Sequence, residues 1–254
     1  MKFSHVFITR PRQESEELAA LLAPLGLTCV VQPAFTYQAV DARASQQDLF
    51  DEMAAAGGRN LIVFSSPRAV AHGLAQLPDE ILFRSRIAAI GPATASALSA
   101  AGVSVTLTSR AGYTSEALLE TLASDAFLQP AGDSCAFIIA APGGRTKLLA
   151  GLGELGWNAR LLMVYRPEPA DLDKPSLNAL EGAAGVLTVW TSANAMKALA
   201  QRLPPATWFQ LCQGEWLVIS ERLKRLSRAY GPAAVHLAKG PGNSDLLSAI
   251  RGLI

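Results

Sequence analysis

Short apolar runs, rich in β-branched and aromatic residues, recur along the chain and are bounded by Gly, Pro, Ser and Asn. Runs of this kind are typical of strands that are buried on both faces of a parallel sheet. Between most of them lie longer stretches whose apolar residues recur at helical spacing. This alternation predicts an α/β fold, in which helices cover both faces of parallel sheets.

The individual elements follow from these two patterns. The predicted strands are Val6–Thr9, Leu61–Phe64, Ile87–Ile90, Val103–Leu107, Ala136–Ala140, Leu161–Tyr165, Val186–Trp190, Trp216–Ile219 and Ala234–Leu237. The predicted helices are Glu14–Leu25, Ala69–Leu77, Thr94–Ala101, Ser115–Ala123, Thr146–Leu155, Ala193–Arg202 and Glu221–Tyr230.

The two halves of the chain resemble each other. The segment VFITRPRQESEELAALLAPLGLTCVV can be laid over FIIAAPGGRTKLLAGLGELGWNARLL, with the strand, the helix and the Leu-Gly turn in register. FSSPRAVAHGL likewise lies over WTSANAMKALA, and GYTSEALLETL over GNSDLLSAIRG. Since each pair is shifted by about 130 residues, we interpret the chain as two copies of one α/β unit.

Two segments break the alternation and carry several prolines: Gln32–Val40 and Arg166–Pro175. We predict interdomain linkers there, at about 34–37 and 168–173. Residues 1–33 and 174–254 then form one discontinuous α/β domain, and residues 38–167 form a second domain inserted into it. A single cut near residue 130 is the alternative that periodicity leaves open.

Composition and charge narrow the function. Half of the 254 residues are hydrophobic, only 17% are charged, and the formal net charge is +1. The basic patch of a nucleic-acid-binding protein is missing, so we expect no nucleic-acid partner. The apolar run near the start is too short for a signal peptide, and none is long enough to span a membrane. The expected location is the cytoplasm.

Metal and cofactor signatures are missing from the sequence. The three cysteines are far apart, without CxxC spacing, and are interpreted as buried thiols. GLGELG at 151–156 matches GxGxxG, but it closes a predicted helix, whereas a dinucleotide fingerprint opens one. We therefore expect no cofactor and no metal. The cysteines and the scattered histidines are Cys29, Cys135, Cys212, His5, His72 and His236.

Turns rich in Ser, Thr, Gly and Pro lead from predicted strands into predicted helices. Capping explains each of them singly, as at Ser66, which precedes Pro67. Capping is compatible with ligand binding, because a helix N-terminus with a hydroxyl beside it attracts anions. Six such turns together suit a ligand with many carboxylates. The turns are Thr9–Pro11, Ser65–Pro67, Gly91–Thr94, Thr191–Asn194, Ser220–Glu221 and Gly240–Ser244.

Positive charge near these turns comes from Arg10, Arg145 and Lys147, although each could be a solvated surface residue. Tyr165 ends a predicted strand just before a linker, where it would face a cleft between domains or pack in an interface. The candidate substrate-binding residues are Arg10, Ser65, Ser66, Thr94, Arg145, Thr191, Ser192 and Ser220.

Five segments carry a resemblance to a known family. TRP at Thr9–Pro11, SSPRAV, IGPATASAL, the pair Val164-Tyr165 and WTSANAM, in this order and spacing, resemble uroporphyrinogen-III synthases over the whole chain. The segment ISERLKRLSRAYG departs from the pattern, because it lacks the Gly-x-x-Thr-Ala turn kept at Gly91–Ala95.

The resemblance implies an enzyme, a hydro-lyase of haem and sirohaem biosynthesis. Its fold would be two flavodoxin-like α/β domains joined by a two-stranded linker, with the active site in the cleft. Its substrate would be hydroxymethylbilane, a linear tetrapyrrole with eight carboxylates, which loses its terminal hydroxyl as water while ring D is inverted and the macrocycle closes. Tyr165 matches the tyrosine proposed to assist that loss. The family also implies no cofactor, a monomer, and at most transient contact with the upstream bilane synthase.

Two other functions are compatible with paired α/β domains. One is a two-lobed small-molecule sensor without catalysis, although the sequence carries no attached DNA-binding segment. The other is a flavodoxin-like electron carrier, because Ser/Thr turns at strand ends can hold a flavin phosphate.

Overall fold

The computed structural model describes residues 2–56, 60–109, 112, 114–131, 134–143 and 145–254. Its contacts divide the chain into two compact units. Unit 1 comprises Met1–Thr36 and Glu168–Ile254, and unit 2 comprises Tyr37–Pro167. The chain therefore leaves unit 1, builds unit 2 without interruption and returns to unit 1.

Strands and helices alternate through most of the chain. The strands are β1 (His5–Ile8), β2 (Thr28–Val31), β3 (Phe35–Ala39), β4 (Leu61–Phe64), β5 (Arg86–Ala89), β6 (Leu107–Thr108), β7 (Cys135–Ala140), β8 (Asn158–Met163), β9 (Tyr165–Pro169), β10 (Val186–Trp190), β11 (Glu215–Val218) and β12 (Ala234–Leu237).

The α-helices are α1 (Arg12–Leu22), α2 (Ala42–Ser45), α3 (Gln47–Ala55), α4 (Pro67–Gly73), α5 (Asp79–Arg84), α6 (Pro92–Ala100), α7 (Ser115–Ala123), α8 (Thr146–Glu154), α9 (Lys174–Asn178), α10 (Ala193–Arg202), α11 (Pro205–Gln213), α12 (Glu221–Arg228) and α13 (Asn243–Arg251). Short 3₁₀ turns follow α1, α4 and α7.

Each unit contains one five-stranded parallel sheet. The order is β12-β11-β10-β1-β2 in unit 1 and β6-β5-β4-β7-β8 in unit 2. The two sheets match strand for strand when β1 and β2 are laid over β7 and β8, and β10, β11 and β12 over β4, β5 and β6. Unit 2 is therefore a permuted copy of unit 1 in chain order, as the offset of about 130 residues in the sequence predicts.

Side chains of the central strands are buried in hydrophobic clusters on both faces of their sheets. In β4, Ile62 and Phe64 enter one hydrophobic cluster, while Leu61 and Val63 enter the cluster on the opposite face. All four side chains are fully buried. This explains why β4 is a continuous apolar run, since a strand covered by helices on both faces has no solvent side.

A separate two-stranded sheet joins β3 to β9. The boundaries between the units, at 36/37 and 167/168, fall inside these two strands. β3 lies in the first segment where the sequence shows only a break in the alternation, and β9 lies in the second apart from its first residue, Tyr165.

Two predicted strands differ from the structure by more than one residue at an end. The prediction for Val103–Leu107 is wrong, because the strand is only Leu107–Thr108. The Ile87 amide donates to Thr106 Oγ1 over 3.1 Å rather than to a backbone carbonyl, so the regular ladder with β5 begins at Leu107. The other predicted strand, Leu161–Tyr165, ends at Met163, since the chain leaves the sheet after Val164 and β9 starts at Tyr165.

Candidate functional site

In unit 1, the turns after β10 and β11 meet at the carboxyl edge of the sheet. Thr191, Ser192 and Ser220 line one cavity of about 270 Å³. The exposed Arg222 lines the same cavity. The sequence prediction thus named three of the residues that the structure brings together here, and it missed the arginine. This edge of a parallel sheet is where open α/β folds bind their ligands.

Two helices begin at this cavity, and both have a serine cap. Ser192 accepts a hydrogen bond from the Ala195 amide, and Ser220 accepts one from the Leu223 amide, each over 3.3 Å. The remaining amides of the first turns of α10 and α12 carry the positive end of the helix dipole. Together with Arg222, they give the cavity an anion-binding character.

Arg10 follows β1, the neighbour of β10 on its other side. Its Nη1 donates to Oδ1 of Asn243, whose Nδ2 in turn donates to Glu17 Oε2 over 3.2 Å. Burial lowers the pKa of Arg10 from its usual value, while Glu14 and Glu17 act in the opposite direction. The guanidinium stays charged, because an arginine remains protonated well above neutral pH. Asn243 therefore fixes a positive charge beside the turn that follows β1.

In unit 2, Tyr165 is 7% exposed and belongs to the core cluster. Its hydroxyl lies 3.4 Å from Oγ of Ser66, the residue that caps α4. Ser66 Oγ also accepts a hydrogen bond from the Ala69 amide over 3.1 Å, which confirms the predicted capping role. The hydroxyl proton of Ser66 is left for Tyr165 or for a ligand.

Arg145 immediately precedes α8 and adopts a left-handed backbone conformation, with φ of 63°. Its Nη2 donates to the Ser65 carbonyl over 3.0 Å, which ties the turn after β7 to the turn after β4. Burial lowers the pKa of Arg145, while the nearby Tyr165 and Glu116 act in the opposite direction. Arg145 is thus a charged group in the neighbourhood of the Tyr165 phenol.

The other predicted residues of unit 2 lie deeper or elsewhere. Ser65 is 6% exposed, and its hydroxyl donates to the Ile139 carbonyl over 2.8 Å. Thr94 is also buried, in the first turn of α6. Lys147 forms an exposed ion pair with Glu116 on α7, with 2.9 Å between Nζ and Oε1.

Sequence reasoning missed residues whose only connection to the site is spatial. His72 on α4 and Tyr37 on β3 both pack against the Tyr165 ring. No spacing rule links them to Tyr165, because the three residues come from different elements. Asn243 did carry a signal, since it directly follows the Gly-rich segment 240–242 and is the first residue of α13.

The cysteines do not supply a reactive centre. All three are free, Cys135 is buried, and Cys29 and Cys212 are half-buried. Burial raises the pKa of Cys29 to about 11, so its thiol is not ionised at neutral pH. Across the described residues, no cluster of three or more His, Cys, Asp or Glu could hold a metal ion. The GLGELG segment begins inside α8 and precedes β8, as predicted.

The described ranges also contain no helix with the length and apolar character needed to cross a membrane. The two sheets and their strand orders define an α/β protein made of two permuted parallel-sheet units. In each unit, polar helix-initial turns gather at the carboxyl edge of the sheet.

A family model described as uroporphyrinogen-III synthase HemD matches residues 16–248. The chain belongs to this family. It is similar to the uroporphyrinogen-III synthase of Escherichia coli K12, with 28% identity over 97% of this chain and 99% of that protein.

Two solved structures show the same fold. The uroporphyrinogen-III synthase of the extreme thermophile Thermus thermophilus, in a mutant form, has a TM-score of 0.60 and 20% identity, over 98% of this chain and 96% of that one. The Helicobacter pylori 26695 protein, a uroporphyrinogen-III synthetase, has a TM-score of 0.63 and 16% identity, over 99% of this chain and all of that one.

Proposed function

We propose that this chain is a uroporphyrinogen-III synthase, which cyclises hydroxymethylbilane to uroporphyrinogen III with inversion of ring D and loss of water. The observation that carries the proposal is the position of the Tyr165 hydroxyl, 3.4 Å from Ser66 Oγ, at the turn whose Ser65 carbonyl accepts a hydrogen bond from Arg145 Nη2. Membership of the family over residues 16–248 supports the same reaction.

Tyr165 is the group that we assign to the leaving hydroxyl. A hydroxyl is a poor leaving group unless it gains a proton as its bond to carbon breaks, and a positioned acid typically contributes about 10²–10⁴ to the rate. In this step, the carbon–oxygen bond breaks, the oxygen leaves as water and the electron-rich pyrrole supplies the electron pair. Arg145 and the Ser66 hydroxyl stabilise the negative charge that remains on the Tyr165 oxygen.

The polar turns are assigned to the substrate carboxylates. Arg10, Ser192 and Ser220 offer a guanidinium, two hydroxyls and the amides of two helix N-termini. Thr191 lines the same cavity. Charge-assisted hydrogen bonds of this kind are about twice as strong as those between neutral groups. We assign the buried Ser65 and Thr94 to shaping the turns rather than to direct contact.

Isomer selection is the larger part of the enzyme's task, because the activated pyrrole can also close without inversion. Holding two rings in one orientation can contribute several kcal/mol to the preferred path. Carboxylate contacts far from the reacting carbon supply this orientation. No single side chain is therefore essential.

A coupled assay tests the proposal directly. Hydroxymethylbilane is generated in place by its upstream synthase, and the oxidised type I and type III porphyrins are then separated. Spontaneous closure gives type I, so type III product that depends on this chain is the expected result. Type I alone, with active upstream enzyme and folded protein, would overturn the proposal and favour the non-catalytic sensor.

Several finer points belong to the same proposal. The free cysteines suit a reducing compartment such as the cytoplasm. We also propose a monomer with two flavodoxin-like domains, at 1–33 plus 174–254 and at 38–167, connected by linkers at 34–37 and 168–173. Contact with the upstream bilane synthase would be transient. Light scattering with and without that enzyme, and limited proteolysis of the linkers, check these points.

A further inference from the structure

The face of the Tyr165 ring is covered by His72. The two ring centroids are 5.4 Å apart and the ring planes are inclined by 29°, which is a stacked arrangement. His72 lies on α4, the helix that Ser66 caps. The N-cap of α4, Ser66, therefore contacts the Tyr165 hydroxyl, and a residue within the same helix, His72, stacks on the Tyr165 ring.

A second aromatic side chain, Tyr37, contacts the same ring. Tyr37 lies edge-on to Tyr165, with centroids 5.9 Å apart and planes inclined by 66°. The guanidinium carbon of Arg68 lies 3.7 Å from the centroid of the Tyr37 ring. Stacked and edge-to-face pairs at these distances restrict the orientation of a ring beyond what burial alone would do.

His72 is suited to stacking as a neutral ring. Burial lowers the pKa of His72, and the positive charge of Arg68 lowers it further. The uncharged imidazole is thus favoured at neutral pH. A neutral imidazole stacks on the phenol without placing a further positive charge beside it.

We infer that His72 is a positioning residue for Tyr165: by stacking on the phenol, it directs the hydroxyl toward Ser66 Oγ and toward the substrate. This inference rests on the proposed function, because it assigns His72 a role in the reaction through Tyr165. His72 itself touches no reacting atom in this scheme.

The size of the effect follows from the contact. An aromatic pair of this geometry stabilises the orientation of the two rings. If that stabilisation is lost from the productive state, the rate should fall by about three- to tenfold. Since the contact orients the acid and does not bind the substrate, we expect the loss in kcat, with KM little changed.

The experiment is a double-mutant cycle in the coupled assay. His72→Ala removes the stacked imidazole ring, and His72→Phe replaces it with a flat ring of similar size. Each substitution is also combined with Tyr165→Phe. Wild-type protein is measured alongside, so that a failure of the proposed function appears as type I product from the wild type. Melting temperatures are measured for all variants to separate rate from stability.

The expected result is a loss of kcat of about three- to tenfold in His72→Ala, with most of it recovered in His72→Phe. In the Tyr165→Phe background, His72→Ala should cause no further loss, because the hydroxyl that His72 positions is gone. Equal losses in both backgrounds, a change in KM alone, or no rescue by phenylalanine would overturn the inference.

NMR of the protein with labelled tyrosine gives a readout that does not depend on activity. The chain contains only four tyrosines, so Tyr165→Phe identifies the Tyr165 signals. His72→Ala should shift these ring signals and increase ring mobility, because the stacked ring is lost. Unchanged Tyr165 signals would contradict the stacking role.

Discussion

The hydroxyl of Tyr165 and the Oγ of Ser66 lie 3.4 Å apart, although 99 positions separate the two residues in the chain. Tyr165 is the first residue of β9 and Ser66 is the N-cap of α4, so the contact joins the start of β9 to the start of α4. A residue that caps a helix thus also serves as the neighbour of the proposed acid. Capping and catalysis therefore have to be separated experimentally at Ser66.

Replacing Tyr165 with Phe should reduce kcat for type III product by about 10²-fold, the lower end of what a positioned acid contributes. KM should change little, since the ring and its packing remain. The coupled assay measures both constants, and the melting temperature should stay close to that of the wild type. A different conservative substitution that removes all activity would contradict the primary role of Tyr165.

Two replacements at Ser66 separate its roles. Ser66→Ala removes the cap and should lower the free energy of unfolding by about 1 kcal/mol, whereas glycine at a cap costs only a few tenths. Both remove the hydroxyl, so both should lower kcat by a similar factor of about three to ten, as expected for one lost hydrogen bond. Denaturant unfolding and the coupled assay measure the two effects.

Asp125→Ala is the matched control for the cap. The Asp125 side chain accepts from the Phe127 amide over 3.0 Å at the start of a 3₁₀ turn. Its loss should reduce stability and leave kcat unchanged. If kcat followed stability across the three variants, the hydroxyl of Ser66 would have no role in the reaction.

The central strands of the two sheets, which are buried on both faces, can be predicted from the sequence. The predicted bounds of β4 and β10, Leu61–Phe64 and Val186–Trp190, are those of the structure. A strand buried on both faces leaves an apolar run with no competing interpretation. By contrast, β3 and β9 are mostly half-buried or exposed, and they are strands because they pair with each other. Such pairing is not visible in a local pattern.

The candidate site likewise contains residues that a local sequence pattern predicts and residues that only the packing brings together. Helix-initial residues such as Ser192 and Ser220 can be predicted, because a hydroxyl after an apolar run marks both a strand end and a cap. The surroundings of Tyr165 cannot, since His72 meets it only through the packing of α4 in unit 2. At Ser65 the turn was predicted, but the sequence did not show that the hydroxyl donates to the Ile139 carbonyl inside the unit.

Replacing Arg145 with Gly should separate backbone strain from charge. Glycine relieves the left-handed conformation at φ of 63°, which costs a non-glycine residue about 1 kcal/mol or more. This gain offsets the lost hydrogen bond to Ser65, so the free energy of unfolding should change by less than about 1 kcal/mol. Activity should fall by about tenfold or more, since a positive charge near Tyr165 is lost. Lys197→Ala, which removes an exposed charge on α10, should leave activity unchanged.

Glu215 should make the stability of the protein depend on pH in the acid range. Its two carboxylate oxygens lie 2.6 Å from Lys2 Nζ and 2.6 Å from His236 Nε2. Burial alone raises the pKa of Glu215, but the hydrogen bonds and charges of Lys2 and His236 outweigh burial and lower it. A carboxyl whose folded pKa is depressed stabilises the fold above its unfolded pKa, and this contribution is lost as the pH falls through the folded value.

Glu215→Gln should therefore lower the melting temperature at neutral pH, by an amount equivalent to about 1 kcal/mol. The difference from the wild type should shrink as the pH falls below the ordinary range of a glutamate, about 4.3. Thermal unfolding between neutral and acid pH measures it. Glu16→Gln is the control, because its ion pair with Arg12 spans 3.5 Å between two largely exposed side chains and should contribute little at any pH. A difference that stays constant down to the lowest pH would show that Glu215 stabilises unit 1 by packing rather than by charge.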